Sequence, residues 1–328
     1  MVPFMLFTTF PLEVFYFGNF TIDTKVVKVD GNEIVKESFG GSVNFGSHTI
    51  SKFFNNIHVT IYSIGYPEFV KKEFGASWEK NNQNLTHYVL DYTGQERKLF
   101  LKYFPPRTLS LPSTTNVIPQ IIMITPIYKE LSEKTVIALK KSYPNSFIAC
   151  DPQGWCREKD SDSDKIILKE WFPTQEFLSA VQLIKISVED IKKKTLQTLT
   201  GYIKTIIDSK VILVVTGGKN GSVCFIPSQT NDFVECFYCP VKEVTNIIDT
   251  TGAGDVWLIA FTLMYYLTKN VKRSLSSASI LSSLKIQSEG LHFKSISQEQ
   301  LDKLIQNHEK EIIPLGINNG IDKILYFD

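Results

Sequence analysis

A seven-residue stretch at 249–255, DTTGAGD, places small residues between two acids and leads directly into the apolar run VWLIAFTLMYYL. The apolar run predicts a buried helix that begins at the small residues. The first N–H groups of a helix have no partner within it, and the helix dipole is positive at that end. Glycines allow a ligand to approach this backbone closely. The N–H groups around Gly252, Ala253 and Gly254 are therefore a candidate anion hole, of a kind suited to a phosphoryl group in transfer.

The acid at the mouth of this loop, Asp255, indicates a second chemical role. A carboxylate repels phosphate, so it is out of place in a site that only binds phosphate. It suits a hydroxyl acceptor, because it can take the proton of that hydroxyl as the oxygen attacks phosphorus. The alternative interpretation is that Asp255 is only a helix cap that interacts favourably with the dipole.

Two other phosphate-binding motifs do not fit the glycines of this chain. A dinucleotide-binding G-x-G-x-x-G that starts at Gly252 would need a third glycine where the chain has Trp257. The cluster GGKNG at 217–221 lacks the Gly-Lys-Ser/Thr ending of a P-loop.

A further polar cluster, DPQGWCR at 151–157, follows a predicted strand. Ligands of open α/β sheets bind at the carboxyl ends of the strands, so Asp151, Gln153 and Arg157 are expected to face the site, and Gln153 and Arg157 are candidate substrate contacts. Arg157 can hold a carboxylate or a phosphate through two parallel hydrogen bonds. The alternative is a strand-end turn in which Arg157 pairs with surface acids, and Trp155 is predicted to pack.

The elements that would position these residues alternate along the second half of the chain. Four apolar runs have the length of strands: 119–125, 146–151, 180–187 and 210–216. Helical patterns lie between them, at 129–143 and 188–207. Strands that are apolar on both faces predict a mostly parallel sheet covered by helices on each side.

The N-terminal part of the chain contains two hairpin patterns, at about 22–38 and at 86–104. Each is polar on one face and has no neighbouring helix. We expect a small antiparallel sheet that covers a pocket at the edge of the domain, which we call the lid. The alternative is that both hairpins extend the main sheet.

Composition restricts the class of protein. Of 328 residues, 43% are hydrophobic and 21% are charged, and 35 basic residues against 34 acidic ones give a net charge of +1. Without a long run of one charge, neither nucleic acid nor a membrane surface is an expected partner. The opening residues 1–18 resemble neither a signal peptide nor a membrane span and predict a buried first strand. Five cysteines, with Cys236 and Cys239 in a strand pattern, indicate a reduced, cytoplasmic protein.

The stretch 249–255, followed by its apolar helix, resembles the C-terminal signature of the ribokinase, or PfkB, family of carbohydrate and nucleoside kinases. Other segments resemble further elements of that family: the first strand (16–25), the glycine signature (39–47), a segment in which Tyr66 and Pro67 stand where an acid is common (63–69), the nucleotide-side turn (214–225) and the adenine-side helix (278–290). The stretch 151–157 is similar to a segment of inositol-kinase-like members.

This resemblance implies a single kinase domain over 1–328. Its fold would be a three-layer α/β/α arrangement with a mostly parallel central sheet, and a small antiparallel β lid would be inserted in its N-terminal part. Asp255 would be the catalytic base and Gly252, Ala253 and Gly254 the anion hole. The substrate side would comprise Asp23, Gly40, Gly41, Phe45, Gln153 and Arg157. The nucleotide side would comprise Thr216, Gly218, Gly221, Thr250 and Ser283.

Two departures from the family pattern affect these roles. The family has an N-x-x-E element linked to Mg²⁺ and phosphate, and here Ser187 replaces the asparagine while Asp190 replaces the acid. The alternative for Asp190 is a solvated acid in the first turn of a helix. Phe45 stands where the family often has an asparagine that faces the substrate, and an aromatic ring there would shrink or flatten the sugar pocket.

The resulting prediction is a kinase that uses ATP and Mg²⁺ to phosphorylate a hydroxyl of a small carbohydrate or polyol. One alternative is a nucleoside kinase, in which Phe45 and the lid aromatics stack on a base. Another is a catalytically silent family member that binds a ligand and regulates. A homodimer through paired lids, common in the families that this chain resembles, is a further hypothesis.

Overall fold

A computed structural model describes residues 11–67, 85–94, 97–109, 111, 116–192, 195–228 and 233–327. The first ten residues of the apolar opening, the last two of segment 63–69 and positions 95–96 of the second hairpin lie outside the described residues.

The central sheet has nine strands among the described residues. They are β1 (Leu12–Gly18), β4 (Ile57–Tyr62), β7 (Ile121–Thr125), β8 (Phe147–Cys150), β11 (Leu183–Ser187), β12 (Ile212–Thr216), β13 (Ser222–Pro227), β14 (Val234–Cys239) and β15 (Ile313–Leu315). Their spatial order is β15-β14-β13-β12-β11-β8-β7-β1-β4. The pairings from β4 to β12 are parallel and those from β12 to β15 are antiparallel. The mostly parallel sheet is therefore confirmed, and β7, β8, β11 and β12 lie on the four predicted apolar runs.

Helices cover both faces of this sheet. They are α1 (Ser42–Phe53), α2 (Glu133–Ser142), α3 (Gln175–Ala180), α4 (Leu196–Asp208), α5 (Ala253–Thr268), α6 (Val271–Ile286), α7 (Gln298–Glu309) and α8 (Ile317–Leu325). One apolar core lies under α1, α5, α6 and α7. The other lies under α2, α3, α4 and α8. The helix that follows the glycine loop, α5, is buried throughout Val256–Met264 because it packs between the sheet, α1 and α6.

The continuous helix predicted over 188–207 is wrong. Val188–Asp190 is a single 3-10 turn, and α4 begins only at Leu196. Each of the two helical segments begins at its own hydroxyl cap. The Ser187 hydroxyl accepts from the Glu189 N–H, and Thr195 caps α4 by accepting from the Thr198 N–H. Both are hydroxyl caps that satisfy a free N–H at a helix start.

The two predicted hairpins form a separate four-stranded sheet, the lid, instead of extending the central sheet. Its strands are β2 (Thr21–Val29), β3 (Asn32–Gly40), β5 (Thr86–Asp91) and β6 (Lys98–Tyr103), in the order β3-β2-β5-β6. Each hairpin is antiparallel, and the parallel pairing of β2 with β5 joins them. A short ribbon of β9 (Arg157–Lys159) and β10 (Ile166–Leu168) lies beside β6.

Two sequence predictions about simple features can be compared with the structure. Cys236 and Cys239 lie in strand β14, as predicted, and all five cysteines are buried and free. Within the described ranges, no helix combines the length and the apolar character needed to cross a membrane.

Candidate active site

The glycine loop before α5 has the geometry predicted for it. Gly252 is the residue before the helix and has φ 79° and ψ 0°, in the left-handed region that side chains disfavour. A Cβ at this position would also collide with the ring of Phe45. The position therefore requires glycine for its backbone conformation and for the close approach of Phe45.

The N–H groups of the loop are not all available to a ligand. The Ala253 N–H donates to the Thr250 carbonyl at 3.2 Å, within the turn. The N–H groups of Gly252, Gly254 and Asp255 have no acceptor among the described residues, as expected at the start of a helix. Of the predicted anion hole, Gly252 and Gly254 can therefore receive an anion, and Asp255 adds a third N–H group.

Asp255, in the first turn of α5, keeps part of its surface accessible although its carboxyl lies deep in the site. Burial and the negative charge of Asp151 raise its pKa to about 7, while Lys185 and Arg157 act in the opposite direction. The charge of Asp23 adds to the rise. Near neutral pH this carboxyl therefore exchanges its proton readily, which a general base requires.

A buried ion pair lies beside the loop, and the sequence analysis identified its acid, Asp151, but not its lysine, Lys185. Lys185, in the middle of β11, donates to Asp151 Oδ2 at 2.8 Å, and both residues are buried. The Lys185 Nζ also lies 3.0 Å from the position that a Cβ on Gly254 would occupy. Burial alone would lower the pKa of Lys185, but Asp151, Asp190 and Asp255 raise it above its ordinary value. The site therefore contains an ammonium ion at the anion hole.

Arg157 lies on the far side of the same cluster. It is buried, its Nε is 4.0 Å from Asp190 Oδ1, and its Nη1 donates to the Ile127 carbonyl at 3.4 Å. Glu130 fixes the turn that presents this carbonyl, because its carboxylate accepts from the N–H groups of Ile127 (2.6 Å) and Tyr128 (2.8 Å). Asp190, the acid beside Arg157, is thus buried, whereas the alternative interpretation had expected surface acids.

Asp190, the acid of the altered family element, is also buried, so the alternative of a solvated helix acid is wrong. Burial raises its pKa to about 6, with Arg157 opposing the rise. Within the described ranges, no group of three or more histidine, cysteine or acidic side chains could hold a metal ion.

The residues predicted for the substrate side meet where the lid joins the domain. Asp23, on β2, is buried and accepts from the Thr21 hydroxyl at 2.7 Å. Burial raises its pKa, against the effect of Thr21. Gly40 lies so close that a Cβ there would collide with the Asp23 carboxylate. Gly41 precedes α1 with φ 95°, and a Cβ on it would collide with the Asn19 carbonyl.

Phe45, predicted to face the substrate, packs against the glycine loop. Its ring is 5% exposed, packs against Gly252, and has the Lys285 ammonium 5.5 Å from its centroid. Lys285 is fully buried and donates to the Asp249 carbonyl oxygen at 3.2 Å. In this structure Phe45 supports the glycine loop from within the protein.

Asp249 connects the glycine loop to the lid. Its carboxylate accepts from the Lys25 ammonium on β2 at 2.8 Å, from the Thr251 N–H at 3.0 Å and from the Gly290 N–H at 3.1 Å. The first acid of the motif is therefore a structural hub that joins lid, loop and the end of α6.

The residues predicted for the nucleotide side are only partly together. Thr216 ends β12 and pairs in register with Ser187, and Gly218 and Gly221 form the following turn. Thr250 is exposed at the glycine loop. Ser283 is buried and its hydroxyl donates to the Ile280 carbonyl in its own helix.

The remaining predicted residues lie in the turn after β8. The Gln153 N–H donates to Asp151 Oδ1 at 3.1 Å, so the turn helps to orient the acid that holds Lys185. Trp155 packs, as predicted. Its ring is stacked on Trp171 and its Nε1 donates to the Leu131 carbonyl at 2.7 Å.

Several solved structures with a similar fold are kinases. A pyrophosphate-dependent kinase of the ribokinase family, complexed with a pyrophosphate analogue and myo-inositol, gives a TM-score of 0.63 at 19% identity and covers 89% of this chain and 100% of that one. Arabidopsis thaliana ribokinase, complexed with ribose and ATP, gives a TM-score of 0.63 at 15% sequence identity. The match covers 91% of this chain and 99% of that one. A nucleoside kinase of Methanocaldococcus jannaschii gives a TM-score of 0.64 at 14% sequence identity. The match covers 90% of this chain and 98% of that one. At these identities the likeness shows the fold.

Sequence comparison adds the family. Residues 167–298 match the pfkB family of carbohydrate kinases. An uncharacterised protein of Schizosaccharomyces pombe is 23% identical over 137 residues, and the match spans 38% of this chain and 38% of that relative. The resemblance inferred from the sequence is thus confirmed: residues 167–298 match the pfkB family, and the chain has the ribokinase-like fold.

Proposed function

We propose that this chain transfers the γ-phosphoryl group of ATP, bound with Mg²⁺, to a hydroxyl of a small carbohydrate or polyol, and that residues 1–328 act as one kinase domain. The observation that carries this proposal is the position of Asp255. A carboxyl with a pKa raised to about 7 lies next to the free N–H groups of Gly254 and Asp255, at the start of a helix. A base and an anion hole at one point are what phosphoryl transfer to an alcohol requires.

In the proposed reaction, the acceptor hydroxyl lies against the ionised Asp255 carboxylate. Asp255 takes the hydroxyl proton as the oxygen forms a bond to the γ-phosphorus, and the bond from that phosphorus to the bridging oxygen of ADP breaks. The Gly254 and Asp255 N–H groups stabilise the charge on the phosphoryl oxygens. The proton leaves Asp255 after the phosphorylated product and ADP depart.

The acceptor class rests on the groups around Asp255. Asp23 offers an acceptor and Arg157 a donor of hydrogen bonds to hydroxyl groups, and Asp23 lies on strand β2 of the lid. Sugar-like ligands, myo-inositol and ribose, are bound by two of the similar structures. The nucleoside alternative loses support, because the Phe45 ring that would stack on a base is buried against Gly252.

Mg²⁺ would reach this site with the phosphates of the donor. A Mg²⁺ ion commonly binds through one or two carboxylates together with substrate phosphates and water, so a preformed cluster of acids is not needed. Asp190 is the carboxylate that fits this role, although its contact with Arg157 would have to loosen. Bound Mg²⁺ would neutralise charge on the phosphates.

Two molecules are candidates for the phosphoryl donor, ATP and pyrophosphate. Thr216, Gly218 and Gly221 would hold the ATP phosphates and ribose, with Thr250 near the transferred group. A pyrophosphate-dependent enzyme is among the similar structures, so pyrophosphate is a second candidate donor. Ser283 would need to rotate away from Ile280 to contact a nucleotide.

The test is acceptor-dependent consumption of Mg-ATP, or of Mg-pyrophosphate, over a panel of pentoses, hexoses, inositols, sugar acids and nucleosides. We expect turnover with at least one carbohydrate or polyol and none with nucleosides. Turnover with nucleosides alone would favour the nucleoside alternative. Donor binding without turnover of any acceptor would favour the silent, regulatory alternative.

A further inference from the structure

Lys185 is the one buried ammonium, among the described residues, that approaches the glycine loop at Gly254. Its Nζ lies 3.0 Å from the position of a Cβ on that residue, and its side chain is 3% exposed. The side chain comes from β11, the central strand of the sheet, which pairs with β8 on one side and β12 on the other. The ammonium therefore lies at the carboxyl side of the sheet, beside the free N–H groups.

A structural role alone gives a poor account of this lysine. An ammonium in the interior costs several kcal/mol of desolvation, and a buried ion pair is often no more stable than an apolar pair of similar size. Leu183, two residues before Lys185 and on the same face of β11, is buried in the apolar core under α1, α5, α6 and α7, so an apolar residue would suit this face of the strand. The position of the Lys185 ammonium group beside the anion hole indicates a functional role.

The charge balance of the site indicates what that use is. Four buried or partly buried acids, Asp23, Asp151, Asp190 and Asp255, surround the proposed reaction centre. Lys185 and Arg157 are the cations with the largest effect on Asp255. A phosphate that entered would be repelled by every ionised carboxylate of this group unless a cation faced it directly. Arg157 is engaged by the Ile127 carbonyl and lies near Asp190, whereas Lys185 has one hydrogen-bond partner, Asp151.

We propose that Lys185 is a catalytic residue whose ammonium group contacts the transferred phosphoryl group at Gly254, and that Asp151 positions it there. This rests on the proposed function and adds a residue to it. Lys185 has three N–H donors, so it can keep its bond to Asp151 and donate another to a phosphoryl oxygen. No covalent bond to Lys185 forms. Its positive charge stabilises the additional negative charge of the transition state, as the backbone N–H groups do.

The test compares three variants of the full chain. Lys185→Met leaves the buried Asp151 carboxylate without its counterion and is at risk of misfolding. The double variant Lys185→Met/Asp151→Asn removes both charges while keeping similar shapes. Asp151→Asn alone keeps the ammonium group. Lys140→Met is the matched control, because Lys140 is a half-buried lysine on α2 whose Nζ donates to the Ser146 carbonyl, outside the proposed site.

We expect the double variant to unfold at a temperature close to that of the wild type and to lose at least ~10²-fold in kcat, the usual effect of removing one donor to a developing anion. Asp151→Asn should lose clearly less, and Lys140→Met should match the wild type. Equal kcat for the double variant and Asp151→Asn, within threefold, would overturn the proposal and leave Lys185 as a counterion of Asp151.

A binding measurement separates this proposal from the proposed function. The affinity of inorganic pyrophosphate, measured by calorimetry, should fall at least tenfold in the double variant relative to Asp151→Asn. If the wild type turned over no acceptor but still showed this difference, the kinase proposal would fail while the anion contact of Lys185 would stand. Equal affinities would contradict the contact.

Discussion

The pH dependence of the reaction follows from the environment of Asp255. If its carboxylate is the base, kcat/KM should depend on the fraction that is deprotonated. With a pKa of about 7, that fraction is about 9% at pH 6, 50% at pH 7 and 91% at pH 8, so the rate should rise about tenfold between pH 6 and pH 8. An aspartate with its ordinary pKa would give a flat profile over this range.

The groups that face Asp255 predict how the midpoint moves. Asp151, at the end of β8, raises the pKa, whereas Lys185 from β11 and Arg157 from β9 lower it, and Asp23 from the lid raises it. Asp151→Asn should therefore move the midpoint of the profile to lower pH. Lys185→Met should move it to higher pH.

The assay is initial rate at subsaturating acceptor and saturating donor, from pH 5 to pH 9 in buffers of constant ionic strength. Asp190, with a pKa near 6, is the other group that titrates in this range. Asp190→Asn separates the titration of Asp190 from that of Asp255, because the rate of this variant should still rise with pH around a midpoint near pH 7. A wild-type profile that is flat between pH 5 and pH 8 would refute Asp255 as a base with a raised pKa.

Three further predictions concern the loop and the lid. Gly252→Ala should lower the free energy of unfolding by about 2–4 kcal/mol, because alanine disfavours the left-handed backbone and its Cβ would collide with Phe45. Urea unfolding measures this loss, and an unchanged unfolding midpoint would contradict the close packing of Phe45 on Gly252. Lys25→Ala removes the contact of the lid with Asp249. We expect the KM for the acceptor to rise about three- to tenfold, with a smaller change in kcat. An unchanged KM would mean that this contact does not hold the lid. Asp255→Asn should raise the melting temperature at pH 8 more than at pH 5. A pKa that is higher in the folded state means that stability is lost as pH rises from about 4 to about 7, and asparagine removes that loss; an equal change at both pH values would contradict the burial of the charge.

The homodimer hypothesis stays a prediction. Val29, Ile34, Val35 and Phe39 of the β2–β3 hairpin are large apolar side chains at least 40% exposed. Light scattering at working concentration tests whether the lid pairs with a second copy, and a monomer there would exclude it. Val35→Glu should dissociate a dimer formed in this way.

Local pattern was sufficient for much of the fold. Uninterrupted apolar runs predicted β7, β8, β11 and β12, because a strand covered on both faces has no polar side. The hairpins were also visible, since alternation and turn residues are local signals. The parallel pairing of β2 with β5 was not, because it joins segments that are distant in sequence and have no turn between them.

The site was predicted where its function depends on backbone and missed where it depends on distant side chains. The glycine loop is recognisable because its conformation requires glycine at Gly252. Lys185 lies in the strand sequence LIKIS, where a lone lysine is easily attributed to a strand end. Its partner Asp151 is 34 residues away, and Lys25 and Asp249 are 224 residues apart, so only the fold reveals these contacts. Phe45 was assigned to the substrate by its place in a motif, whereas packing turns its ring toward Gly252.

The most direct test of the central claim is single-turnover phosphoryl transfer by the wild type and by Asp255→Asn, with donor bound and with the acceptor found in the panel. Asparagine keeps the shape of the side chain but cannot accept the hydroxyl proton. We predict that donor affinity stays within threefold while the transfer rate falls by at least ~10²-fold. A transfer rate that is unchanged in the variant would show that Asp255 only caps α5 and that the proposed mechanism is wrong.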